Sequence, residues 1–265
     1  MPDWLQNLPV VGMTVVILLA TYLMTGAIYW VVVTLAVGAR ARAFKAVSPG
    51  MLPPLGIIFG LLVAFVAAQV WTDLATAGTA VTREASALRG VILLADSFPG
   101  QPERQLRALV RRHVQHAVTQ EWPAMAQQKA TLTLTSVPLA RALRLALALK
   151  PQDEGQTAAQ SEIISLIEDA LEARRERIII SGSAVNGVKW SGLFLQAICT
   201  LVAIAMVHSD NRITAAIAMT LFATGIAVSV LLIAAHNRPF SGEISVKPDA
   251  LLQILPQAGR HGSAG

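Results

Sequence analysis

The sequence predicts an all-α membrane protein in which four membrane-spanning helices carry a helical domain inserted between the second and the third. Three observations predict it. The 265 residues are 54% hydrophobic and only 14% charged, well short of the roughly 25% charged content usual in soluble chains. Four stretches, 4–39, 46–72, 190–209 and 213–237, contain no Asp, Glu, Lys or Arg, and each can supply the about 20 apolar residues that a crossing helix needs. Charge collects instead in 73–187, with 13 basic and 12 acidic side chains, where apolar residues recur at helical spacing and no strand alternation of comparable strength appears.

The chain therefore divides into 1–72, with spans at about 9–37 and 55–72; 73–187, the inserted helical domain; 188–236, spans three and four; and 237–265, a C-terminal tail. The start MPDWLQNLP lacks the basic n-region of a secretory signal and its apolar run continues to Val37, so the first span reads as a retained anchor. A basic loop with Arg40, Arg42 and Lys45 follows. Pro53 and Pro54 then open span two, where a first helical turn tolerates proline. Beyond Trp71, Val81, Ala85, Leu88, Ile92 and Ala95 keep helical spacing as far as Phe98-Pro99-Gly100, so the second helix continues into the domain.

Within the domain, Leu106, Leu109, Val110, Val114, Val118 and Trp122 form one face of a helix and Arg104, Arg107 and Arg111 the other, with Pro123 at its end or at a kink. Ser136 and Pro138 read as the N-cap and first turn of a third helix reaching 150. A last helix over 157–179 turns Ile163, Ile164, Ile167, Ala170 and Leu171 inward. Only a few polar residues around Ser209, Asp210, Asn211 and Arg212 separate spans three and four, so these pair as an antiparallel hairpin.

Orientation follows the count of Lys and Arg near span ends. Arg83, Arg89, Arg174, Arg175, Arg177, Lys189, Arg238 and Lys247 lie on the side of the domain and both termini, against Arg40, Arg42, Lys45 and Arg212 opposite. The domain side is expected to be cytoplasmic.

Catalytic and metal chemistry has little to stand on. His113 and His116, at i and i+3, could share a metal with Glu121 but lack a third ligand at a defined spacing; they read as polar-face histidines beside Arg111 and Arg112. Ser181, Ser183 and Lys189 lack an oxyanion motif and read as a polar approach to span three. The single cysteine, Cys199, excludes an intrachain disulfide. Neither a cofactor nor a metal is expected, and the basic residues are scattered among acids without interleaved aromatics, which argues against nucleic acid. Span two carries more. It turns polar at Gln69, Thr72 and Asp73, and ionisable groups at such depths often mark ion pathways. Its Gly60, Ala64, Ala67 and Ala68 equally suit a plain packing helix.

The passages GLLVAFVAAQVWTDLATAGTAVTREASAL, EWPAM from Glu121 to Met125, ARRERI from Ala173 to Ile178 and RPFSGEISV from Arg238 to Val246 together resemble the bestrophin-like family of bacterial membrane proteins, along nearly the whole chain. The resemblance implies a pentameric ion channel of the bacterial inner membrane with both termini cytoplasmic, not an enzyme, whose partners are the lipid bilayer, its own copies and permeating ions. It implies a hydrophobic neck lined by the second helices, with Ile57 and Leu61 at the neck and Ala64, Phe65, Ala68 and Thr72 following toward the cytoplasm. Gln69 and Asp73 would then bear on selectivity, a ring of Asp73 carboxylates favouring cations. Pro239, Phe240 and Gly242 match the family's turn after span four, but the acidic run that follows it in calcium-sensing members is replaced here by Ile244, Ser245 and Val246. Calcium gating through that turn is not expected. The alternative is a non-conducting scaffold or sensor whose helical domain binds a protein partner.

Overall fold

Long apolar runs without internal proline leave the backbone one way to satisfy its N–H and C=O groups in lipid, which is helix. The structure, a computed structural model, describes residues 3–6, 8–36, 44, 49–132 and 136–255. Helices are the only regular elements among them: after a single turn at Asp3–Gln6 come α1 (Val10–Leu35), α2 (Leu52–Leu94), α3 (Gln101–His116), α4 (Trp122–Ala126), α5 (Val137–Leu147), α6 (Glu154–Ser181), α7 (Gly187–Val207), α8 (Arg212–Ala235) and the single turn α9 (Asp249–Leu252), with short 3-10 turns at Pro49–Met51 and Ala95–Ser97. Four of the described helices are long and apolar enough to cross a membrane: α1, α2, α7 and α8. Arg40, Arg42 and Lys45 lie outside the described residues.

The chain falls into two compact units, one made of residues 1–72, 184–237 and 242–244, the other of 73–183, 238–241 and 245–265. In the first, α1 packs on α7 and α8. Met13, Ile17, Thr21 and Thr25 recur every fourth residue along the buried face of α1. They join a cluster with Phe59, Val66, Val70, Leu193, Ala197, Met219, Ile226 and Ile233. Caps fix where the hairpin helices begin: the Asn186 side chain accepts from Lys189 N–H at 2.9 Å, and that of Asn211 accepts from the Ile213 and Thr214 N–H groups at 3.1 Å.

In the second unit, the C-terminal part of α2 and helices α3 to α6 enclose Leu88, Val91, Leu106, Val110, Val114, Met125, Leu139, Ile163 and Ile167. Gly90 lets α2 and α6 approach closely, because a Cβ there would stand 2.7 Å from a Leu166 methyl. The Ser136 side chain caps α5. Helix α2 has 43 residues, about 65 Å at 1.5 Å per residue, whereas a bilayer core takes about 30 Å of it. The rest, from Asp73 on, belongs to the second unit.

One local departure from the sequence reading matters for the site. The amphipathic run after Gly100 does not stay α-helical to Trp122: residues Ala117–Glu121 form a π-turn, and Trp122 N–H bonds Ala117 O, five residues back. Pro123 supplies the reason. It has no N–H for the Thr119 carbonyl and its ring would crowd that oxygen, so the preceding turn widens.

Candidate functional site

Along the membrane part of α2 the side chains separate into two faces. Phe59, Val66, Ala67 and Val70 are buried, Phe59 with its ring 5.5 Å from that of Phe222. Opposite them, Ile57, Leu61 and Phe65 are 62%, 53% and 74% exposed, and Ala64, Ala68 and Thr72 are exposed with them. At about 100° per residue these six fall within roughly 100° of arc. A lone chain thus presents an apolar stripe four turns long that its own helices leave uncovered.

The two residues tied to selectivity lie beside this stripe. Gln69 falls roughly 90° and Asp73 roughly 130° from its centre by the same count, and both are half-buried. The Oε1 of Gln69 accepts a hydrogen bond from the Lys189 ammonium at the start of α7. In the single chain Asp73 therefore lies to the side of the exposed stripe, and the Lys189 ammonium meets Gln69 on that flank.

The most developed polar constellation lies in the second unit. Arg177, fully buried, donates Nε–H to Glu84 Oε2 at 2.7 Å and Nη2–H to Glu84 Oε1 at 3.1 Å and Glu121 Oε2 at 2.8 Å. Its Nη1 reaches Met125 Sδ at 3.3 Å, and its guanidinium lies 5.2 Å from the Trp122 ring. Arg174 clamps Glu121 Oε1 through Nε at 2.8 Å and Nη2 at 2.7 Å. The His113 ring bridges Glu84 Oε1 (Nε2, 2.8 Å) and Ser136 Oγ (Nδ1, 2.9 Å). One proton arrangement closes this chain: Nε2–H donates to the carboxylate, Ser136 O–H donates to Nδ1, and Ser136 Oγ accepts from Leu139 N–H. Two carboxylates balance two guanidiniums, and the set joins α2, α3, the π-turn, the α5 cap and α6.

Burial works against ionisation of Glu84, but the attraction of Arg177 and the hydrogen bond from His113 outweigh it and hold the carboxyl at about 2. For Glu121, burial is likewise overcome, by the charge of Arg177 and the bond from Arg174, and its pKa is lowered. Arg177 is raised: its burial is outweighed by the paired carboxylates.

This constellation corrects the reading of His113 as a polar-face histidine, since it is fully buried. It also parts the residues weighed as metal ligands. Glu121 belongs to two arginines, His113 faces Glu84, and only His116 stands near Glu121, at 3.5 Å. The signal was present in the spacing. Glu84 falls on the Val81, Ala85, Leu88 stripe, His113 on that of Leu106, Val110 and Val114, and Arg174 and Arg177 continue the inward row of Ile163, Ile167 and Ala170.

After α8 the chain makes the turn that the sequence marked. Pro239 O accepts from Val246 N–H at 2.8 Å, Phe240 is buried with its ring edge-on to Trp122 at 5.4 Å, and Gly242 has φ +86°, a conformation that disfavours a Cβ. Glu243 Oε2 accepts from Val10 N–H at 3.1 Å, capping the start of α1.

A family model for the bestrophin-like domain matches residues 19–251. The chain belongs to the bestrophin-like family. A crystal structure of a bacterial bestrophin homologue from Klebsiella pneumoniae carrying a point substitution superposes with a TM-score of 0.68 at 11% identity, over 91% of this chain and 97% of that one. Another crystal structure, of a membrane-protein variant, gives 0.69 at 11% identity over 91% and 96%. At such identity the likeness establishes the fold. No curated protein matches the sequence. In this bestrophin-like chain two of the quoted motifs meet inside the second unit: EWPAM supplies Glu121, Trp122 and Met125, and ARRERI supplies Arg174 and Arg177.

Proposed function

We propose that the protein is a homopentameric ion channel of the bacterial inner membrane, with both termini and the helical domain on the cytoplasmic side. Five α2 helices surround the pore, Ile57 and Leu61 form its neck, and Ala64, Phe65, Ala68 and Thr72 line the passage inward. One observation carries this reading. The membrane part of α2 holds an apolar stripe that its own chain leaves bare, opposite Phe59, Val66 and Val70, which are buried. Rings of Ile and Leu one turn apart oppose ion passage by excluding stable water. Family membership and the shared fold support the same reading.

The channel prefers cations, a preference set by Asp73 and opposed by Lys189 at Gln69. The Pro239–Gly242 turn is structural, and Glu243 acts as a helix cap, without calcium. Planar-bilayer recording of the purified protein tests the reading. Unitary currents are expected; their absence from an intact oligomer would favour the scaffold or sensor instead. Cysteine labelling should reach 100–132 and 245–255 from the same side of the membrane, and opposite-side labelling would overturn the topology.

A further inference from the structure

The buried ion network borders a hollow through Glu121 and Arg174. This hollow, of about 140 Å³ in the second unit, is lined by His116, Gln120, Glu121, Lys129 and Arg174, with Ala124 and Ile178 among its apolar walls. Since a water needs only about 10–15 Å³ of such space, a ligand of several heavy atoms fits.

The charge of the lining is uneven. Arg174 is itself 94% buried, its relative exposure being 6%, and it is held in place by Glu121. The Glu121 carboxylate that faces the hollow is already met by two guanidiniums at 2.7–2.8 Å, so its repulsion of an incoming anion is largely offset. Lys129 has no acidic partner among the described residues and brings three donors. Gln120 adds an amide, and His116 brings an imidazole whose buried Nδ1 makes no hydrogen bond among the described residues and lies 3.5 Å from Glu121 Oε1. Donor-bearing side chains line the hollow, and the one carboxylate among its described lining residues is bonded to the two guanidiniums.

We propose that this hollow binds a small multi-oxygen anion, a phosphate or a short dicarboxylate. Lys129, Gln120 and His116 would donate directly, and the Lys129 ammonium would supply the positive charge that the balanced Arg174–Glu121 pair does not. Because Arg174 and Glu121 belong to the network that joins α3, the π-turn and α6, occupancy would bias the packing of the whole unit. The site makes no use of the membrane-spanning helices, so it stands whether or not the protein conducts.

The test is thermal unfolding of the full chain in detergent with 5 mM inorganic phosphate, 5 mM malonate, or sodium chloride at matched ionic strength. Lys129→Gln and Gln120→Ala serve as variants, because both side chains lie outside the buried network. At least one of the two anions should raise the wild-type Tm saturably, by about 3 °C over chloride, and both variants should lose most of that shift while keeping the wild-type Tm in chloride. Phosphate or malonate acting alone would support the site and assign its ligand. No shift over chloride in the wild type, or an equal shift in wild type and both variants, would overturn the proposal.

Discussion

Arg177 shows what a single buried charge does in this chain. It is fully buried between Glu84 and Glu121, so its removal leaves the buried Glu84 carboxylate with no cation, only the His113 bond, and Glu121 with Arg174 alone. Arg177→Met should lower stability by about 3–5 kcal/mol, whereas Arg177→Met combined with Glu84→Met should recover a good part of that loss, because apolar replacement of a whole pair is far better tolerated than an orphaned charge. Denaturant unfolding followed by tryptophan fluorescence checks both variants. The network also fixes a pH response. Glu84 and Glu121 are depressed in the folded state, so their stabilisation is complete above the ordinary carboxylate range near 4.5 and drains away as pH falls toward 2. Unfolding midpoints should therefore be flat between pH 7 and pH 5 and fall steeply below about 4.5; a midpoint that rises on acidification would contradict the ion pairing. None of these partnerships was legible from residue type alone. Charges on an apolar stripe mark burial, but the partner of Arg177 lies 93 positions away, and helical spacing carries no information about contacts between helices.

At the scale of elements the sequence was more explicit. The spans, the long second helix and the Ser136 cap follow from apolar run length, proline position and cap chemistry, which act locally. The π-turn after His116 was not foreseen, because periodicity averaged over a helix does not register one extra residue; only Pro123 hinted at it. Its effect is positional, since it rotates Glu121 and Trp122 relative to α3 by about 100° and so aims Glu121 at Arg174 and Arg177. The stripe on α2 carries the functional test at this scale. Ile57→Ala and Leu61→Ala each remove bulk from an exposed row rather than from the core, so folding should be little affected while unitary conductance or open probability rises several-fold. Wild-type currents from both variants would move the constriction off this face of α2.

At the scale of the whole molecule, the exposed apolar surface of the membrane helices lies on more than one helix. Val11, Val15, Leu19, Leu23 and Trp30 of α1 and Ile213, Ile217, Leu221 and Leu232 of α8 are exposed and apolar, as a bilayer requires. Ion choice depends on how charge is set along the conduction path, where the sequence offered Asp73 and the structure adds Lys189 on Gln69. Lys189→Gln should shift the reversal potential under a salt gradient toward the cation equilibrium potential, with the oligomer intact. An unchanged reversal potential would remove Lys189 from the selectivity argument and leave conduction untouched.

The buried ion network also bears on descent. Each of its four charges depends on another for tolerance of burial, so a lineage that drops Arg177 inherits an unstable protein until Glu84 changes as well, and Glu121 is tied in the same way to Arg174. Among relatives these positions should drift in concert or stay fixed, while the exposed charges around them, such as Arg83 with Asp169, vary freely. The helical unit would then evolve in paired steps, with its EWPAM and ARRERI segments marking a constraint of folding rather than of ion choice.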